Sequence, residues 1–210
     1  MRYRRRMRIV AMLLLALTSS AHADDAAQMR LDMHTYFAGE KRECLAFGGA
    51  GLAAVGLGSG LMSTQSGLAR GAAYPLLGVA LIELVAGVVL FGRTDAQVTH
   101  LDAQLTHAPA AFRTAELTRM RRVNAQFRAL AAIEGVLMLA GVGLVAVGGI
   151  VKEDTATGVG VGLAVQAATL FMLDTFAHDR AISYEEHLRR FQVAVSADRT
   201  TVLASLAKRF

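Results

Sequence analysis

Four apolar runs limit what this chain can fold into. They cover roughly residues 44–63, 71–92, 129–151 and 158–177. Each approaches the length of about 20 residues that a helix needs to cross the hydrocarbon of a bilayer. Two short polar links, 64–70 and 152–157, divide the runs into pairs. Links this short force neighbouring helices antiparallel, so two helical hairpins are expected. Composition agrees with a lipid-facing surface: 54% of residues are hydrophobic, and the mean hydropathy is +0.41. The expected fold is all-α, a polytopic membrane protein with four transmembrane helices extending into a juxtamembrane helical stalk.

The stalk is read from phase. Met120, Val123, Phe127, Leu130, Glu134, Leu137, Gly141, Leu144 and Gly148 follow steps of three and four, and so does a series from Gly160 through Asp174 and Tyr184 to Val195. Both stripes cross between Arg-rich and apolar sequence without changing phase, as helices of a left-handed bundle do. The third and fourth spans are therefore expected to leave the bilayer as continuous helices. For the other two, Met29, Met33, Tyr36 and Glu40 lead into the first span, with Gly39 a potential break. Thr94 is expected to cap a short separate helix through Thr106, and Pro109 suits the first turn of the next one. A further C-terminal helix is expected from about Ser196 or Asp198.

Residues 1–23 carry a different signature. Arg2, Arg4, Arg5, Arg6 and Arg8 precede the apolar stretch 9–17, and Ala21-His22-Ala23 is followed by Asp24 and Asp25. This order predicts a secretory signal peptide cleaved after Ala23. The divisions expected are 1–23 signal, 24–43 juxtamembrane helix, 44–92 first hairpin, 93–128 stalk helices, 129–177 second hairpin and 178–210 C-terminal stalk helices. The formal net charge of +5 belongs to the signal, since the chain from Asp24 onward balances 17 Lys and Arg with 17 Asp and Glu. No nucleic-acid partner is expected from so neutral a mature chain.

Orientation cues conflict. A cleaved signal places the stalk and both mature termini outside the cytoplasm, in the periplasm if the membrane is a bacterial inner one. Yet the stalk segments carry 15 Lys and Arg against only Arg70 and Lys152 in the tight links, and the positive-inside rule would reverse the arrangement. The signal is given priority, because its three regions and acidic mature start are independent cues.

The two halves also look alike. Ala54-Val55-Gly56-Leu57-Gly58 precedes Leu139-Ala140-Gly141-Val142-Gly143 by 85 positions. The likeness is architectural, and two copies do not make a solenoid.

Two sets of residues stand out within the apolar runs. Gly56 and Gly60 form a GxxxG pair, and Gly141 and Gly148 lie two turns apart on one seam; small residues let helices approach in lipid, within one chain or between copies. Glu83, Glu134 and Asp174 are acids with no Lys or Arg inside the runs to pair with. A charge at mid-depth costs about 2.5–3.5 kcal/mol, so such groups face the bundle or water. Glu134 and Asp174 are expected to meet at similar depth, where they either share a hydrogen bond or form a proton or cation relay.

Arg119, Arg121 and Arg122 are expected on a solvated or headgroup-facing patch. His100, His107, His178 and His187 show no dense ligand spacing, so neither a metal nor another cofactor is expected. No nucleophile elbow or phosphate loop points to an enzyme. Cys44 opens an apolar run and is read as a packing residue. The expectation is a non-enzymatic envelope membrane protein whose partners are membrane lipid and itself or other envelope proteins. An accessory or assembly subunit and an immunity protein against an envelope-targeted toxin both fit. The rival is a small channel or proton- or cation-coupled transporter using the three acids.

Overall fold

The computed structural model describes the backbone of residues 2–191 and the side chains of residues 25–191. It contains four long helices: α1 Arg2–Met62, α2 Gly67–His107, α3 Pro109–Val151 and α4 Asp154–Arg190. At 1.5 Å per residue, the 41 residues of α2 and 43 of α3 reach about 60 Å, about twice the thickness of a hydrocarbon core. All four are long and apolar enough to cross a membrane. The helix expected from Ser196 or Asp198 lies outside the described residues.

Local chemistry places the turns. Ser66 caps α2, its hydroxyl oxygen accepting from the Ala69 amide at 3.3 Å. Ala108 alone separates α2 from α3, and the ring of Pro109 keeps it out of the α region while occupying a first-turn position that needs no donor. Lys152 closes α3 in the left-handed region (φ 58°), and the Glu153 amide reaches back to the Gly148 carbonyl at 2.8 Å. This reversal presses the first turn of α4 onto α3. A Cβ at Gly148 would lie 2.5 Å from Thr157 Oγ1, so no larger residue fits without movement.

Two sequence expectations need correction. Gly39 does not interrupt α1. Thr94 caps nothing: it is buried within an unbroken α2 and donates to the Leu90 carbonyl at 2.7 Å, as a mid-helix threonine does. The second span thus enters the stalk as one rod, like the third and fourth.

Packing differs between the two ends of the bundle. In the stalk, Met29, Met33, Phe37, Phe112, Met120 and Leu188 are fully buried in one cluster with Tyr36 and Tyr184. Along the apolar runs the large side chains point outward, among them Leu52, Ile82, Val88, Leu139 and Ile150. There the closest helix contacts run through small residues, beside a small cluster of Ala54, Leu76 and Ala80 with Val55 and Leu61. Glycines two apart on α4 face opposite ways: Gly158 and Gly162 press against the α2 backbone at Leu68 and Ala72, while Gly160 and Gly141 bring α4 against α3. Hence α4 lies between α2 and α3, α1 pairs with α2, and among the described residues α1 and α3 make no close backbone approach.

Candidate functional site

The acids within the apolar runs are the polar groups hardest to explain by packing alone. Glu83 on α2 is 2% exposed, and Gln166 of α4 donates through Nε2 to its Oε1 at 2.7 Å. Its Oε2 is buried without a partner. The contact sits where Gly158 and Gly162 have drawn α2 and α4 together. Glu134 on α3 is 4% exposed, and its carboxyl faces that of Asp174 on α4. Glu134 Oε2 is likewise buried without a hydrogen-bond partner among the described residues. One turn beyond Asp174, His178 stacks on Phe127 at 5.4 Å with its Nε2 buried and unbonded. The three acids therefore form two separate sites, Glu83 with Gln166 and Glu134 with Asp174.

The glycines also divide. A Cβ at Gly141 would lie 2.7 Å from Ala164 N and 2.8 Å from Gly160 O, so only glycine allows that approach. Among the described residues Gly56 and Gly60 face open space, with nothing within 4 Å of a Cβ at either. Among the described residues the seam expected through this pair has no counterpart. The α1–α2 contact passes instead through Gly51, Gly58 and Gly87, which meet Leu84, Leu77 and the Cys44 carbonyl.

A third cluster lies in the stalk. Arg119 turns inward and grips Glu116 through Nε and Nη2 at 2.7 and 2.6 Å. Its guanidinium lies 5.3 Å from the Phe37 ring centroid and 5.7 Å from that of Tyr36. Tyr36 stacks on Tyr184 at 4.5 Å. Burial pushes the Tyr36 hydroxyl up to about 12, against the opposing charges of Arg119 and Arg180. Tyr184 shifts the same way for the same first reason, reinforced by the Glu116 charge. Burial alone would ease the proton off Arg119, but the Glu116 hydrogen bonds and charge outweigh it and hold the guanidinium above its ordinary range. This corrects the expected patch: of the three arginines, Arg119 belongs to the interior, while Arg121 lies 3.9 Å from Glu185. Continuing the α3 stripe backward by fours from Met120 would have found Glu116 and Phe112.

Nearby, the buried Asn124 donates to Glu185 Oε2 at 2.5 Å, and Arg189 donates to Oε1 of the same carboxylate at 2.5 Å. Arg113 donates to the carbonyls of Leu188 and Arg189, satisfying the end of α4. Among the described residues no three His, Cys, Asp or Glu side chains converge as metal ligands would. These arrangements hold helices in register.

No family model matches the chain, and no match is found among the curated proteins or the solved structures.

Proposed function

We propose that this chain is a non-enzymatic envelope membrane protein: a four-span anchor carrying a helical stalk that serves as an assembly or interaction surface. The observation that carries this reading is the division of packing. Bulky side chains close a core in the polar half, whereas the apolar half turns most of its large side chains outward and meets internally through glycine and alanine, with Leu76 and Leu77 of α2 among the larger residues at its contacts. Such a molecule holds a shaped, water-facing bundle at a fixed distance from a bilayer. A bacterial-type envelope, with signal removal after Ala23 and the stalk on the periplasmic side, belongs to the same proposal. An accessory subunit and an immunity protein remain the two forms of it. Photo-crosslinking from the stalk tests it, with a probe residue at Leu31 or Ile182, both exposed there. Discrete adducts from these positions, and none from lipid-facing Ile150, are expected. A stalk that yields only unmodified chain would count against an interaction role.

The Glu134–Asp174 contact favours a second reading, a proton- or cation-coupled conductor. Two carboxyl groups facing each other at membrane depth take up a proton or a cation between them more readily than they remain a bare pair of charges.

A further inference from the structure

A groove of about 570 Å³ opens between α1 and α4 where both helices pass from polar to apolar sequence. Its polar end carries Arg42 and Arg180; its apolar end carries Ala46, Leu173 and Phe176, the last 63% exposed. Arg180 is fixed in position. Its Nη2 donates to Glu43 Oε2, and its guanidinium lies 5.7 Å from the Tyr36 ring centroid. The stem crosses Gly39 so closely that a Cβ there would lie 2.6 Å from Arg180 Cδ. Of that guanidinium only Nη2 has a protein partner among the described residues, and Nε is buried against Gly39 without one. Arg42 is exposed and meets no carboxylate within ion-pair distance among them. Glu43, the one carboxylate lining the groove, is already engaged by Arg180, and Asp174 nearby is turned to Glu134.

We infer that this groove binds an anionic phospholipid, with the headgroup phosphate between Arg42 and Arg180 and an acyl chain along Ala46, Leu173 and Phe176. Guanidinium donors suit phosphate oxygens because the hydrogen bonds are charge-assisted and can form in parallel. A free anion would leave the apolar end empty, and an apolar ligand would leave the arginine donors without acceptors. A phospholipid satisfies both ends, and basic pockets between spans at headgroup depth are suited to such lipids. The site requires only that α1 and α4 cross a bilayer, and it stands whether or not the stalk engages a protein.

The test uses the full chain in an uncharged detergent, titrated separately with dioctanoyl phosphatidylglycerol, dioctanoyl phosphatidylcholine and inorganic phosphate, with the thermal midpoint as readout. Phosphatidylglycerol should raise the midpoint saturably and the other two should not. R42Q removes an exposed charge that supports no internal ion pair, and should weaken the apparent affinity about fivefold, the effect of one basic residue near a membrane surface. Ala46→Phe, which fills the apolar end, should weaken it as well. An equal response to phosphatidylcholine, a response reproduced by phosphate, or wild-type affinity in either variant would overturn the assignment.

Discussion

Gln166 donates to Glu83 at 2.7 Å across the α2–α4 contact, inside apolar stretches of both helices. The pair ties the two hairpins together near the level where Gly158 and Gly162 have already brought their backbones close. Interhelical hydrogen bonds in lipid contribute about 0.6 kcal/mol on average and up to about 1.7. Gln166→Leu should therefore lower stability by about 1 kcal/mol, while Glu83→Gln keeps an acceptor in place and should be nearly neutral. Thermal midpoints in detergent decide it; a Gln166→Leu variant as stable as the parent would remove this contact from the account.

The glycines should separate by position rather than by motif. Leucine at Gly158, Gly160 or Gly141 must displace backbone atoms of a neighbouring helix, and loss of the folded bundle is expected. Leucine at Gly56 or Gly60 enters open space and should leave monomer stability intact or slightly improved, since glycine is a poor helix former by about 1 kcal/mol. Equal damage at both sets, read by thermal midpoint, would contradict the packing described here.

Stability should fall at both extremes of pH through the stalk. For Glu185 burial works against the charged form, but hydrogen bonds from Arg189 and Asn124 and the charges of Arg189 and Arg121 outweigh it and depress the carboxyl below its ordinary value of 4.5. A depressed carboxyl contributes stability above that value and loses it as pH falls through its folded pKa. Tyr36 is the reverse case, raised by burial from 10.0 to about 12. Its contribution is complete below pH 10 and disappears between pH 10 and about 12. Glu185→Gln should flatten the acid limb of a denaturation profile and Tyr36→Phe the alkaline limb, each leaving the other limb unchanged.

Topology has its own test. Mature protein should begin at Asp24, and single cysteines at stalk positions such as Leu31 or Ile182, in a Cys44→Ala background, should react with an impermeant thiol reagent applied from outside the cell. An intact N-terminus with labelling only after the membrane is opened would reverse the orientation and favour the arginine asymmetry.

Much of this architecture was legible in the chain, because lipid-crossing length and helical phase are local properties. The α4 series from Gly160 through Ala167, Ala177, Ala181 and Tyr184 to Leu188 follows the buried face. What phase could not show was which face of a helix meets which neighbour. GxxxG at Gly56 and Gly60 has the right spacing on a side of α1 that no helix covers among the described residues. Thr94 looked like a cap by residue type, yet its hydroxyl bonds its own helix four residues back. For Glu83 the sequence shows a need for a hydrogen-bond partner but not which residue supplies it. Its neutral partner lies 83 residues away, although Gln166 is the one side-chain amide in the fourth apolar run. Residue type groups Arg119 with Arg121 and Arg122 on the surface, whereas Glu116, one turn earlier on a buried stripe, draws it in.

Proton and cation flux across proteoliposomes, measured for the wild type beside Glu134→Gln and Asp174→Asn, tests the anchor most directly. Both amide variants should insert and fold, since each keeps hydrogen-bonding atoms at the α3–α4 contact. The anchor account predicts flux no greater than in protein-free vesicles for all three proteins. A pH-dependent flux in wild type that disappears in either variant, with thermal stability retained, would contradict it and make the Glu134–Asp174 pair a relay.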